Sequence, residues 1–485
     1  MELNSPVFLF IFLPVFLVFY SACPARARNV LLLVSSAAFL IWGDPLYFPL
    51  IFGLTLLTAA FLAGIQKNAA DICKVKRLRT AGVAINLISL LCFKVLAAYG
   101  TSILAAAVQA GIYLPSWISV YLPQIARLPL GLSFLVFQAV SLLLDAPYKT
   151  ANNGRLLLPA SLHLLLFPKA ISGPLVRFDQ FRQQVSEQQF SLEQAAAGLR
   201  RFMLGFAKKA LIADQLALVA NSGIFNQAPA RIPAESAWIA ILCYALQIYF
   251  DFAAYSDMAI GLGQVLGFKF QENFNHPYWS VSITDFWRRW HMTLSAWFRD
   301  YVFYPLEKKR ARSKKGSQSL NLLIVFLLTG LWHGITPPFI VWGLIQGAAV
   351  ALENGSFGRR LRRLWPPLQH LYALLVILFG WVFFRSPSLA YAFQFLKALG
   401  NVFSPVKPLP YSVFPPISTL TWIAFGAGIL LSLPLNKITE SCLSKVDREN
   451  RSWIWVKYGL ALALFLLAIV VQAGTNYQPF IYGEF

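Results

Sequence analysis

A chain of 485 residues that is 58% hydrophobic and only 13% charged is not an ordinary soluble protein, whose charged share would be about 25%. It is a polytopic membrane protein. The net charge of +21, from 41 Lys and Arg against 20 Asp and Glu, would point a soluble chain toward nucleic acid. Here the basic residues stand in short runs between apolar segments, as the positive-inside rule requires, and no nucleic-acid partner is expected.

The first apolar run, Pro6 to Tyr20, ends at Ser21-Ala22-Cys23, a faint lipoprotein-like site. The residues before it hold Glu2 and no Lys or Arg, which is wrong for an export signal, so it reads as a retained membrane segment with Arg26 and Arg28 anchoring its far end. Spans are predicted near 6–20, 30–43 and 46–65, then a cytoplasmic loop from Lys67 to Arg79 with Lys74, Lys76 and Arg77 inside it. Further spans follow near 80–99 and 101–121. The run 128–144 carries Pro129, Gly131, Ser133, Gln138 and Ser141, residues tolerated where a helix lines a cavity or packs on other helices. Pro168, Gly173 and Pro174 forbid a continuous helix over 167–178, so a re-entrant or interfacial segment is expected there. Arg182 to Gln194 is a polar connection. Ser191 and Gln194 have capping-box spacing, predicting a helix to about Leu211, with Arg200, Arg201, Lys208 and Lys209 read as solvated at the cytoplasmic surface.

A span near 236–254 runs into Asp251 and Asp257, which are expensive in an apolar stretch unless paired or wet. Residues 267–278 form a turn-rich loop, and Pro277 biases His276 toward extended backbone. Ser282 and Asp285 have the looser capping-box spacing. They start a predicted helix to Asp300 on which Trp287, His291, Leu294, Ser295 and Phe298 share a face while Arg288, Arg289 and Arg299 reach headgroups or water. The pivotal stretch is Asn321 to Ile335. It follows the basic run Lys308 to Lys315 and places His333 about 14 residues, or roughly 21 Å, into a helix from Ser319, within a hydrocarbon core about 30 Å thick. An ionisable side chain at that depth is a functional-site hypothesis by default; the bland alternative is a packed core histidine. Gly330 and Gly334 have the small-residue spacing that lets a neighbouring helix approach. Spans near 337–352 and 370–386 are split by Arg359, Arg360, Arg362 and Arg363. A proline-rich loop, Pro405 to Pro416, precedes spans near 417–434 and 454–473, which Lys445, Arg448, Arg451 and Lys457 separate. The total is about 11–13 segments, several too short to span alone. Five cysteines without a C-x-x-C pair indicate neither a disulfide framework nor a zinc site, and no metal is expected.

The sequence shows no serine-nucleophile elbow, P-loop or zinc helix. Two histidines, His291 and His333, without metal-binding carboxylate spacing suit acid–base work near neutral pH. At this point longer motifs become recognisable: F-P-K-A-I-S-G-P-L-V-R at 167–177, Y-F-D-F-A-A-Y-S-D-M-A-I-G-L-G at 249–263, E-N-F-N-H-P-Y at 272–278, the run S-I-T-D-F-W-R-R-W-H-M-T-L-S-A-W-F-R-D-Y at 282–301 and T-G-L-W-H-G at 329–334. Through them the chain resembles the membrane-bound O-acyltransferase (MBOAT) family, in its branch of bacterial alginate and other polysaccharide O-acetyltransferases.

The resemblance implies an all-α ring of membrane helices and re-entrant segments around a funnel or tunnel, with the acyl donor on the cytoplasmic side and the acceptor outside. His333 corresponds to the family's catalytic histidine, as general base or transient acyl carrier, and His291 to its second active-site histidine. Asp251, Asp257, Asn273, Trp332 and Arg288 are weaker substrate-binding candidates. After Arg299-Asp300-Tyr301 the family's P-L-G-G-N-R gives way to Pro305-Leu306-Glu307-Lys308-Lys309-Arg310, which leaves alginate, peptidoglycan, cellulose and other exopolysaccharides open as acceptors. The expectation is a single membrane acyltransferase domain over 1–485, with the motif core at about 128–353 and C-terminal helices at about 365–485. It would reside in the bacterial inner membrane, holding no permanent cofactor and drawing on acetyl-CoA, with a separate extracytoplasmic hydrolase-like transferase as partner. D-alanyl transfer to teichoic acid, a flippase for a lipid-linked sugar and a non-catalytic scaffold are the alternatives.

Overall fold

The computed structural model describes residues 1–113, 115, 118, 121–122, 125–145, 156–187, 190–222, 232–314, 316–401, 417–435, 451–475 and 479–481. These are helices and connections, with no strand among the described residues. The predicted loop Pro405 to Pro416 and the basic residues Lys445 and Arg448 lie outside them. Contacts cluster into two compact units: Met1–Phe202, Met258–Gln271 and Pro479–Phe485 form one, Met203–Asp257 and Glu272–Gln478 the other.

In the first unit a wide helical turn at Phe8–Phe12 leads into α1 (Leu13–Ala22), followed by α2 (Ala25–Gly43), α3 (Phe48–Lys67) and α4 (Ile72–Gln109). The last corrects the expectation of a basic loop and two spans. Asp71 caps α4 by accepting from the Lys74 amide at 3.0 Å, so Lys74, Lys76, Arg77 and Arg79 ride on its first turns. A helix of 38 residues is roughly 57 Å long at ~1.5 Å per residue. It outruns the hydrocarbon core, and its cationic start has room to stand outside. Next come α5 (Leu132–Asp145), α6 (Leu157–Leu165), α7 (Phe167–Ala170) and α8 (Phe178–Ser186). Every residue from Leu132 to Leu143 is buried, so the polar positions of α5 serve packing. Asp44 pins the approach to α5, pairing with Arg127 at 2.7 Å and accepting from the Leu130 amide at 3.2 Å. Gly131 has φ +77° with the Ala170 carbonyl where a Cβ would stand, so only glycine fits there. The proline-broken motif from Phe167 to Val176 is buried in protein, one of the two settings that non-helical backbone tolerates. Lys169 lies within it, donating to the Gln138 side chain and the His163 carbonyl.

α9 (Leu192–Lys208) starts with the Gln194 amide 3.5 Å from Ser191 Oγ. A wide turn, Lys209–Ala213, joins it to α10 (Asp214–Ala220). Lys209, expected in solvent, is only 2% exposed. Its Nζ is 2.5 Å from Asp214 and 2.8 Å from Asp251, two carboxylates on different helices that together repay the desolvation of one ammonium. Lys208 pairs with Asp257 at 2.6 Å. Both acids of the 249–263 motif are therefore met by lysines.

The long α11 (Ala234–Val265) contributes residues to both units. Beyond it lie α12 (Ile283–Trp287), α13 (Met292–Phe298), α14 (Tyr304–Ser313), α15 (Gln318–His333), α16 (Pro337–Glu353), α17 (Ser356–Leu361), α18 (Pro366–Arg385), α19 (Leu389–Gly400), α20 (Thr419–Ser432) and α21 (Arg451–Ala473). The predicted helix from Asp285 to Asp300 is thus two helices, broken at His291. His276 is left-handed at φ 45° rather than extended, because its carbonyl closes a short turn onto the Trp279 amide. α15 and α16 form a close hairpin. A Cβ on Gly330 would lie 2.5 Å from the Phe339 carbonyl oxygen, and one on Gly343 2.5 Å from that of Phe326, so the predicted small-residue packing is real and involves Gly343 as well. Glu307, in the segment that departs from the family pattern, ties α14 to α15. It accepts from Asn321 at 2.6 Å and Arg310 at 2.7 Å.

Six described helices are long and apolar enough to cross a membrane: α2, α3, α4, α11, α18 and residues 454–473 of α21. Shorter apolar helices cover Phe8–Ala22, Leu132–Asp145, Gln318–His333, Pro337–Glu353 and Thr419–Ser432. The protein is an all-α, multi-pass membrane protein.

Candidate active site

The site is assembled within the second unit from the loop before α12, the break between α12 and α13, and the end of α15. α12 is fixed first. Ser282 Oγ accepts from the Asp285 amide at 3.0 Å, as its spacing predicts. Asp285 reaches back to the Val281 amide at 3.3 Å. The carboxylate of Glu353, 4% exposed on α16, then accepts from the Ile283 and Thr284 amides at 2.6 and 2.8 Å and from the Thr284 hydroxyl at 2.6 Å. An anion at a helix N-terminus meets donors with no partner inside the helix. Trp287 donates to Gln346 of the same helix α16 at 3.1 Å.

At His291 the chain turns left-handed, with φ 43° and ψ 52°, a conformation uncommon outside glycine but open to histidine. Asn273 imposes it. Its backbone carbonyl accepts from the Met292 amide at 2.9 Å. Its side-chain oxygen accepts from the Thr293 amide at 3.3 Å and the Thr293 hydroxyl at 3.0 Å, and stands 3.0 Å from His291 Nδ1. Its amide nitrogen donates to Ser256 at 3.2 Å. An oxygen that takes all three contacts obliges Nδ1 to carry the proton, so Nε2 is the basic nitrogen of the neutral ring. The imidazole is fully buried and Phe252 meets it edge-on at 4.6 Å between centroids.

His333 ends α15 and is 4% exposed. Trp342, Phe384 and Trp332 surround its ring at centroid distances of 5.1, 5.0 and 4.7 Å. Trp332 also stands 6.3 Å from the His291 ring. One indole therefore adjoins both imidazoles. Aromatic surroundings of this kind exclude water, which strengthens charge interactions formed among them.

Of the weaker candidates, Asn273 and Trp332 contact the histidines. Asp251 does not: it holds Lys209, one residue before Phe252. Asp257 pairs with Lys208. Arg288 caps α12 with its side chain exposed to the exterior, so nothing brings it to the histidines. The sequence reading missed Ser256, Thr293, Phe252, Trp342, Phe384 and Glu353. The first three fall inside quoted motifs, which is the one signal that could have raised them. Among the described residues no group of three or more His, Cys, Asp or Glu converges as a metal site would.

Fold and site together define a multi-pass helical membrane enzyme. The chain belongs to the membrane-bound O-acyltransferase family: that family's sequence profile matches residues 132–393, a span that contains both histidines. It is 38% identical to a probable alginate O-acetylase AlgI of Azotobacter vinelandii over 82% of this chain and 78% of that one. It is 34% identical to a probable alginate O-acetylase AlgI of Pseudomonas putida over the full length of both. A peptidoglycan O-acetyltransferase of Helicobacter pylori is 32% identical over 82% of this chain and 79% of its own. The protein is accordingly an O-acyltransferase.

Proposed function

We propose that the enzyme moves an acetyl group from acetyl-CoA, on the cytoplasmic side of the bacterial inner membrane, to a hydroxyl of a cell-envelope or secreted polysaccharide. A separate extracytoplasmic transferase would complete delivery where the polymer does not reach the histidines. The observation that carries the reading is the pairing of His291 and His333 around Trp332, with the His291 tautomer fixed by Asn273. His333 takes the proton of the attacking hydroxyl as its oxygen bonds to the acyl carbon. The thioester bond breaks, the thiolate leaves, and the proton passes to it. His291, with its basic Nε2, orients the donor and balances charge. Relatives named for acetylation of alginate and of peptidoglycan support a polysaccharide acceptor. Base catalysis of this kind is typically worth ~10²–10⁴-fold.

Deletion tests the reading against a lipid-linked sugar flippase. The acetyl content of the purified polymer is expected to collapse while polymer yield persists. Loss of polymer export, with normal acetylation of what remains, would contradict it.

A further inference from the structure

Away from the histidines, the second unit carries an apolar groove of about 520 Å³ between α11, α18 and α20. That volume falls in the ~300–1,000 Å³ range of small-molecule sites. Its walls include Leu246, Leu374, Leu378, Phe425 and Leu433. The mouth is open: Leu371 and Ile429, which also line the groove, are 50% and 46% exposed. Two of the three walls, α11 and α18, are helices long and apolar enough to cross a membrane. At one end the polar groups gather. Trp279 and His370 meet at a tilt with centroids 4.6 Å apart, and His370 Nδ1 bonds the Ser280 carbonyl at 3.0 Å.

That end adjoins a cationic patch. Pro367 and His370, in the first turn of α18, line the groove. Immediately before them stand Arg359, Arg360, Arg362 and Arg363, all exposed. No acidic residue lies between Asn354 and Arg385, and the preceding Glu353 is committed to the start of α12. Arg363 is four residues from Pro367, so at most about 14 Å of extended chain separates the patch from the groove. An apolar slot beside a polar end and an unbalanced basic patch fits an amphiphile with a hydrocarbon tail and an anionic head.

We propose that the groove holds one acyl chain of an anionic phospholipid whose phosphate rests on the Arg359–Arg363 patch. Neither His291 nor His333 lines the groove, so this lipid is a resident of the fold rather than the acyl donor or acceptor.

The test uses the full chain in lipid nanodiscs. They contain phosphatidylglycerol carrying a diazirine at the end of one acyl chain, or the matching phosphatidylcholine at the same mole fraction. Labelled peptides are mapped after illumination. Residues of α18 and α20 that line the groove should be labelled well above α21, whose apolar span is only 11% buried and sets the background. The preference for phosphatidylglycerol should be roughly tenfold, since each juxtamembrane arginine strengthens attraction to anionic lipid. Leu374→Trp should fill the slot and lower groove labelling. Replacing all four arginines with Gln, a change confined to exposed positions, should remove the headgroup preference while groove labelling by either lipid continues. Groove labelling no higher than α21 would overturn the site. Equal labelling by the two lipids in the unmodified protein would overturn the anionic headgroup.

Discussion

Asn273 is the test of how the site is built. Asn273→Ala removes four side-chain contacts, to His291, the Thr293 amide, the Thr293 hydroxyl and Ser256. A neutral hydrogen bond contributes about 0.5–1.5 kcal/mol net, so the expected loss of stability is roughly 2–6 kcal/mol, less whatever the backbone bond from Met292 retains. Activity should fall much further. Without Asn273 the His291 ring loses the acceptor that keeps the proton on Nδ1, and the left-handed turn loses its clamp. Asn273→Asp separates the two effects. A carboxylate accepts from Nδ1 and from Thr293 as the amide oxygen does, and Ser256 can reverse its hydroxyl to donate. The aspartate variant should therefore recover much of the activity that the alanine variant lacks, at comparable levels of inserted protein. The assay is acyl transfer per unit of membrane-inserted protein, alongside thermal midpoints in detergent. If Asn273→Ala kept near-unmodified specific activity, or lost activity only in proportion to protein, the positioning argument would fail.

Two further outcomes follow from charged groups away from the histidines. Lys209→Met leaves Asp214 and Asp251 buried together without their cation. Breaking a buried pair typically costs ~3–5 kcal/mol, so inserted protein should drop steeply, and the yield of folded, monodisperse protein after solubilisation measures it. Glu307 is held below the usual carboxylate range by its hydrogen bonds from Arg310 and Asn321. Its contribution is present above the unfolded value, about 4.3, and is lost as pH falls through the lower folded value. The unmodified protein should therefore lose thermal stability relative to Glu307→Gln on acidification below that range, with no such convergence at neutral pH. A constant difference between the two at every pH would refute the assignment.

The sequence made the His333 half of the candidate site legible because its causes are local. A histidine at the end of an apolar helix, flanked by glycines, needs no knowledge of the rest of the chain, and the close approach of Gly330 to α16 followed. The Ser282 cap was legible for the same reason, since a hydroxyl three residues before an amide reaches it. The other half depends on contacts distant in sequence. Nothing in F-W-R-R-W-H-M-T predicts a left-handed residue at His291; Asn273, far upstream, captures the backbone there. Helical spacing missed that break, yet the faces it assigned hold: Trp287, His291, Leu294 and Phe298 are buried while Arg288 and Arg299 are exposed. Lys209 was missed similarly. Its run of basic neighbours reads as solvated, and its burial follows from Asp251 on a different helix. The family resemblance supplied what spacing could not, the expectation that His291 and His333 serve one site.

The most direct test of the central claim is the specific activity of His333→Ala. The side chain is enclosed by Trp332, Trp342 and Phe384, and α15 is closed onto α16 through Gly330 and Gly343, so the helix retains its packing without the imidazole. The variant is expected to insert and accumulate near normal levels while acyl transfer per unit of inserted protein falls by ~10²–10⁴-fold or more. Near-unmodified specific activity, or a loss that merely tracks a fall in protein, would contradict the assignment of His333 as the residue that takes the acceptor's proton.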